Sequence, residues 1–400
     1  MKHLLVISLY LLFIIPAFAQ QKAVDEYFPS TGVWESRSPI LSGFDTAKLN
    51  NAIRIAIRNE SRRPRSMEQS QQLDFGKEPF GEPVGPFIDR DDPTGIIIHK
   101  GYIIGQWGDP SKVEMTHSVT KSFLSVVVGL AADKGLLNVE DNVSKYVGDV
   151  VWHMPASSSP ASKIINPFAS EHNKNLSWEV MLRQTSDWEG ELWGKPDWAD
   201  RPDRDSTKWH NRKRNEPGAV FEYNDVRVNA LALAATLVWH KSLHDVLNSY
   251  IMKPIGASDS WHWHGYRNSF ISINDTIHQS VSGGGHWGGG MFINAYDMAR
   301  FGLLTLHKGR WKDQQLVSKK WIERSITPTS ANIEYGYMNY FLNTNKKLLP
   351  AAPASAYMHV GNGRNIIYVD AEHDLVIVMR WIESNSAINE VVKMVIEAKQ

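Results

Sequence analysis

Ser118-Val-Thr-Lys121, at the head of the apolar run Ser122-Phe-Leu-Ser-Val-Val-Val-Gly-Leu-Ala-Ala, is the stretch of this chain that specifies chemistry. On a helix, residues three apart share a face. The Lys121 amine can therefore reach the Ser118 hydroxyl and take up its proton, which turns an inert alcohol into a nucleophile. A serine in the first helical turn also faces unpaired backbone N–H groups and the positive end of the helix dipole, where an oxyanion would form. No other Ser-x-x-Lys occurs in the 400 residues. The competing reading of the same residues is a serine that caps a buried helix, followed one turn later by an ordinary lysine.

The frame that would position these residues is readable on both sides of them. Asp45 caps a helix-spaced pattern from Thr46 to Ile57, with apolar residues at Leu49, Ile53, Ala56 and Ile57. Gly95 to His99 and Tyr102 to Trp107 are strand-like runs around a His-Lys-Gly turn, so a hairpin leads into the Ser118 helix, which Gly135 ends. From Leu136 to Gly290 the pattern is irregular and rich in Trp, Asn and Asp, with helices at Ser177 to Leu182 and from Val228. A second hairpin, Asn365 to Val369 and Leu375 to Ile382, precedes a C-terminal helix over Ala387 to Lys399. Strands at both ends of the chain with helices between them predict an α/β (α+β) fold. An antiparallel sheet would form from 20–135 and 291–400, flanked by helices, with 136–290 as an inserted, mainly helical domain. A ligand cleft is expected between the two.

Composition narrows the function classes. Lys2, the apolar run Leu4 to Ile15 and Ala17-Phe18-Ala19 read as a signal peptide over 1–19, cleaved near Ala19, which predicts a secreted or periplasmic protein. A membrane anchor is the competing reading, but the run is short against the ~20 apolar residues a spanning helix needs, so no stable membrane anchor is expected. There is no cysteine, hence neither a lipid-attached N-terminus nor a disulfide, and the core must carry the stability. The 43 basic and 43 acidic residues balance, which leaves no net field for nucleic acid and points to a small-molecule partner. Of the 15 Trp, several fall together at Trp178, Trp188, Trp193, Trp198 and Trp209, where they either line a pocket or fill a loop-rich core.

Three motifs in order resemble those of the serine β-lactamase-related hydrolases. They are Ser118-Val-Thr-Lys121 after a hairpin, Pro217-Gly-Ala-Val-Phe-Glu-Tyr223-Asn-Asp225, and His359-Val-Gly361 before the last hairpin. Gly135-Leu-Leu-Asn-Val-Glu-Asp-Asn-Val-Ser-Lys-Tyr146 and Met181-Leu-Arg-Gln-Thr-Ser186 agree with that resemblance, which covers nearly the whole chain after the signal segment. The family includes class C β-lactamases, D-alanyl-D-alanine carboxypeptidases, esterases and aminohexanoate-oligomer hydrolases.

The resemblance implies an acyl-enzyme on Ser118, with Lys121 and Tyr223 handling protons and no cofactor. A phenol is a poor base at its free pKa near ~10, but a neighbouring ammonium favours its anion, and the two could share one proton. On residues alone, the stronger reading of Tyr223 is a buried aromatic with a bonded hydroxyl. The oxyanion hole implied by the family is the backbone N–H of Ser118 and that of Asn362, with Gly361 letting substrate lie against the strand edge. His359 departs from the lysine of penicillin-recognising members, which moves the expected substrate toward neutral esters or amides; Arg364 is a candidate replacement charge. Asp225 departs from the family's asparagine. If it faces the site it would pair with Lys121, hold it cationic and leave Tyr223 as the base.

Two other segments carry less. His262 and His264 lie on one side of a strand in metal-capable geometry, but without a third ligand no metal is expected. Gly283 to Gly290 lacks the ending of a phosphate loop and reads as flexible backbone bordering the cleft. No Gly-x-Ser-x-Gly elbow and no His-Glu-x-x-His motif is present. The expectation is an exported serine hydrolase cleaving an ester, amide or peptide-like small molecule. Its alternatives are a true β-lactamase or carboxypeptidase, and a silent relative that binds cell-wall fragments or peptides.

Overall fold

The computed structural model describes residues 26–155, 161–210 and 212–400; the expected signal segment lies outside them. In chain order come α1 (Thr46–Arg58), α2 (Met67–Phe75), β1 (Thr94–His99), β2 (Tyr102–Trp107), β3 (Glu114–Met115), α3 (Thr120–Asp133), β4 (Val150–His153) and β5 (Ser162–Ile165). The middle holds α4 (Trp178–Leu182), α5 (Asp225–Trp239), α6 (Leu243–Leu247), β6 (His262–Ile273), β7 (Thr276–Val281) and β8 (Gly290–Ile293). The chain finishes with α7 (Ala295–Leu306), α8 (Lys319–Ser325), β9 (Phe341–Leu342), β10 (Tyr357–Gly361), β11 (Asn365–Asp370), β12 (Leu375–Arg380) and α9 (Asn385–Ala398).

The main sheet is antiparallel and six-stranded, in the order β9-β10-β11-β12-β1-β2. Its central strands β1, β11 and β12 are buried along their whole length, because helices cover both faces. Strand alternation sorts the side chains cleanly. Ile97, Ile366, Tyr368, Ile377 and Met379 pack with α1 and α9, while Ile96, Ile98, Ile367, Val376 and Val378 belong to the core that contains α3 and α7. Each large apolar side chain fully removed from water contributes roughly 1.5–3 kcal/mol. The β1–β2 turn has positive φ at both Lys100 and Gly101, the twist-matched two-residue hairpin that Lys-Gly permits. Asp45 caps α1 by accepting from the N–H groups of Ala47 and Lys48, and Gly135, at φ 69°, closes α3.

The fold is thus the expected mixture of antiparallel sheet and helices. The segment 136–290 carries the expected helices α4 and α5, and α6 besides, but it is less helical than its sequence suggested. A second antiparallel sheet, β3-β8-β6-β4-β5 with β7 beside β6, runs through it. A buried arginine at the end of β12 fastens the two sheets together. Arg380 donates to the carbonyls of Met115 (2.6 Å) and Ile293 (2.7 Å) and to Asn365 Oδ1, with Glu114 at 3.3 Å as its counter-ion. Among the described residues no helix is long and apolar enough to cross a membrane.

Candidate active site

Ser118 sits in a tight turn between β3 and α3. Thr116 N–H continues the β3–β8 ladder by donating to the Met291 carbonyl (3.0 Å). The chain then swings through His117 at φ 49°, a left-handed conformation rare outside glycine, into the single turn His117–Val119. Thr120 locks that turn: its hydroxyl donates to the His117 carbonyl (2.6 Å) and accepts from Met291 N–H (2.9 Å). Ser118 therefore lies one tight turn ahead of α3 rather than within its first regular turn. Lys121 is the second residue of α3, fully buried, and its ammonium donates to Ser118 Oγ at 2.8 Å.

Tyr223 and Asp225 reach the same point from the start of α5. Glu222 N–H donates to the Gln184 carbonyl and Asn224 N–H to Gln184 Oε1 (2.9 Å each), so one residue following α4, through its backbone and its side chain, clamps the residues on both sides of Tyr223. Asn224 is the N-cap of α5, and Asp225, its first residue, points back toward the nucleophile. Lys121 Nζ donates to Asp225 Oδ1 at 2.6 Å and lies 4.6 Å from the centre of the Tyr223 ring. Arg201 donates to the other Asp225 oxygen at 2.9 Å and also pairs with Asp200.

The charges follow from this packing. Burial works to raise the Asp225 carboxyl, but Lys121, then Arg201 and His286, outweigh it and hold it well below the usual carboxylate range. Burial, then the Asp225 charge, pushes the Tyr223 phenol far above its ordinary value against the opposing pull of Arg201 and Ser118. The resting site therefore pairs an ammonium with a carboxylate and keeps the phenol protonated. This departs from the expectation of Tyr223 as a ready base.

A cleft of about 290 Å³ opens over Ser118, walled by Tyr223, Arg201, Phe75, Phe341 and the β10 edge from Val360 to Arg364. A Cβ at Gly361 would collide with the Thr116 carbonyl, so the edge strand approaches the nucleophile turn as closely as a glycine allows. Asn362 is held by its side chain, which donates to Asp74 (2.7 Å), and by its carbonyl, which accepts from Asn365 (2.8 Å). Ser118, Lys121, Tyr223, Asp225, Gly361 and Asn362 are thus brought together.

His359 is not part of that group. It was expected to meet substrate, yet it is fully buried beneath the cleft among Phe301, Tyr340 and Tyr357, and does not line it. Burial lowers its pKa to about 3, so it is a neutral core residue. Gly283 to Gly290 likewise does not border the cleft as flexible backbone. The run is buried throughout, and a Cβ at Gly284 would strike both Asp225 Oδ1 and Lys121 Nζ. Of the clustered tryptophans, Trp178, Trp188 and Trp193 are core, while Trp198 stacks on Trp209 at 5.3 Å over a separate hollow. His262 and His264 do share a strand face, with ring centres 4.6 Å apart, and His244 of α6 lies 4.9 Å from His262.

Sequence reasoning missed Arg201, Asp200, Glu78, Gly284 and His286, all of which surround the Lys121–Asp225 pair. The glycine run itself was the visible signal for the last two, because so many glycines mark close backbone approach as well as flexibility.

The chain is similar to several known proteins. A 6-aminohexanoate-dimer hydrolase of Paenarthrobacter ureafaciens is 23% identical over 239 residues, which cover 58% of this chain and 56%, a little over half, of that protein. EstCE1, described as a hydrolase with promiscuous acyltransferase activity, superposes with a TM-score of 0.55 at 12% identity, covering 90% of this chain and 99% of its own. The class C beta-lactamase of Rhodobacter sphaeroides gives 0.51 at 14%, covering 76% and 93%. These likenesses show a shared fold. The model of the family called Beta-lactamase matches residues 109–381, from before the nucleophile turn to the end of the last strand, and the chain belongs to that family.

Proposed function

We propose that this protein is a serine hydrolase that cleaves an ester or amide bond of a small molecule through an acyl-enzyme on Ser118. The observation that carries the reading is the unbroken chain Ser118 Oγ, Lys121 Nζ, Asp225 Oδ1, with links of 2.8 and 2.6 Å, opening into a cleft. As Ser118 attacks the substrate carbonyl, Lys121 takes the hydroxyl proton while passing one of its own to Asp225. The bond from Oγ to carbon forms and the carbonyl becomes an oxyanion. Its partners would be the backbone N–H groups of Ser118 and Asn362. Tyr223, protonated and beside Ser118, supplies the proton to the departing alcohol or amine. Water then attacks the acyl-enzyme by the reverse route and frees the serine.

The reading favours neutral esters and amides over penicillins, because His359 is buried and uncharged where a penicillin-recognising relative would present a cation. The named activities of the relatives, hydrolysis of a linear amide dimer among them, support the same class. Export after cleavage near Ala19, and treatment of 136–290 as an insert bearing Tyr223 and Asp225, belong to the same proposal.

Labelling with a fluorophosphonate and with a fluorescent penicillin tests it. Reaction with the first alone, abolished in Ser118→Ala, is expected. Reaction with both would move the assignment to the β-lactamase or carboxypeptidase alternative, and reaction with neither would overturn catalysis in favour of a binding protein.

A further inference from the structure

Behind the catalytic pair lies a second layer of ionisable side chains that the proposed mechanism does not use. His286, from the glycine-rich run, is wholly buried between the Phe75 ring (centroids 4.1 Å apart) and its neighbour Trp287. Its Nε2 bonds Glu78 Oε2 at 2.8 Å and stands 3.7 Å from Asp200 Oδ1. Its Nδ1 faces Asp225 Oδ2 at 3.6 Å, outside hydrogen-bond range, and has no hydrogen-bond partner. The His286 carbonyl accepts from Gln71 Nε2 (2.5 Å), so α2 and the turn after it, which carry Gln71, Phe75 and Glu78, grip the imidazole from one side.

The charge count shows why an imidazole belongs there. Asp225, Asp200 and Glu78 present three carboxylates, and the permanent cations in contact with them are Lys121 and Arg201. The imidazole nitrogens stand within 3.7 Å of all three carboxylates. Asp200 and Asp225 are held close, since Asp225 N–H donates to Asp200 Oδ2 and Arg201 pairs with both carboxylates.

We propose that the Glu78–His286 pair is a positioning element for catalysis: it fixes Asp225 in the orientation that keeps Lys121 on Ser118. Glu78 sets the ring, the ring steadies the Asp225 carboxylate, and the carboxylate steers the ammonium. Neither Glu78 nor His286 touches the reacting atoms. The inference rests on Ser118 being the nucleophile, and the experiment separates the two ideas.

The test is the second-order rate at which a fluorophosphonate labels Ser118 in the wild type, Glu78→Gln, Asp225→Asn and the double variant, with melting temperatures alongside. An unlabelled wild type would remove the assignment of Ser118 itself. With a reactive wild type, Glu78→Gln is expected to slow labelling between about ten- and a hundredfold, the scale of a misplaced catalytic group, while the melting temperature holds. In the Asp225→Asn background the same change is expected to have little further effect, because Glu78 acts only through Asp225. His286→Gln should behave like Glu78→Gln. The proposal is overturned if Glu78→Gln labels at the wild-type rate, or if its penalty is undiminished in the double variant. It is equally overturned if purified protein carries a stoichiometric metal that Glu78→Gln releases, since the cluster would then be a metal centre.

Discussion

Lys121 and Asp225 meet at 2.6 Å with neither side chain open to solvent, and the same ammonium touches the nucleophile. A buried pair of this kind adds little net stability, because desolvation offsets attraction, but removing one partner strands the other charge at a cost of about 3–5 kcal/mol. Its value here lies in fixing where protons reside.

Asp225→Asn is expected to move the acidic limb of the kcat/KM profile to higher pH. In the wild type Asp225 receives the proton that Lys121 passes on, and Lys121, Arg201 and His286 hold that carboxylate ionised well below the usual range. Without that acceptor the Lys121 amine must already be unprotonated to take the Ser118 proton, and a free amine needs a higher pH than a free carboxylate. A limb that stays in place would show that Asp225 is not coupled to the catalytic proton.

Gly284→Ala should disable the site from behind. The added methyl would occupy the space where Asp225 Oδ1 and Lys121 Nζ meet. A loss of roughly a hundredfold in acylation rate is expected, with a destabilisation of about 1–3 kcal/mol typical of overpacking. Acylation kinetics and thermal unfolding read the two effects separately.

Gly361→Ala tests the strand edge. A methyl there meets the Thr116 carbonyl, so β10 must retreat and carry Asn362 N–H with it. If that N–H stabilises the oxyanion, kcat should fall about 10²–10³-fold, the usual loss for one donor, with KM changing less. An unchanged kcat would remove Asn362 from the oxyanion hole.

His359→Leu probes stability against pH. Burial holds His359 at about 3, and His117 and His99 at about 4, all below the ~6.5 of an unfolded chain. As pH falls from ~6.5, the unfolded chain takes up protons that the folded one refuses, so stability declines through that window and levels off near the folded values. Replacing His359 by Leu removes one such contribution. The melting temperature should then fall less steeply between about pH 6 and pH 4, with activity at neutral pH within about twofold of wild type. A large loss of activity would return His359 to the substrate site.

The parts of the site legible in the sequence are those fixed by local geometry. Ser118 and Lys121 declare themselves by their three-residue spacing at the head of an apolar run, whereas Gly361 was legible only as part of a motif of the family resemblance. Tyr223 was legible through the resemblance, since nothing about an aromatic before a helix N-cap marks it as reactive. The second layer was not legible, because Glu78, Asp200 and His286 come from separate segments and meet only through tertiary packing. His359 misled for a simpler reason. Strand alternation determines which side chain faces the cleft, and here the residue two before Gly361 points into the core.

The fold shows the same division. Both terminal hairpins were readable from unbroken apolar runs, while the long β6–β7 hairpin was hidden. Its alternation changes phase at an irregularity between Gly265 and Phe270, and half its residues are polar. The turn gave the usable cue: Asn274 and Asp275 both adopt positive φ, as a two-residue hairpin requires.

Arg380 extends the meaning of the site beyond its contact list. The guanidinium that grips the Met115 carbonyl, three residues ahead of the nucleophile, belongs to the last strand of the main sheet. A nascent chain emerging from the ribosome has its serine and lysine in hand long before the strand that aligns them exists. If Ser118 is the nucleophile, a chain cut short before its final hairpin carries it without the guanidinium that ties its turn to the main sheet.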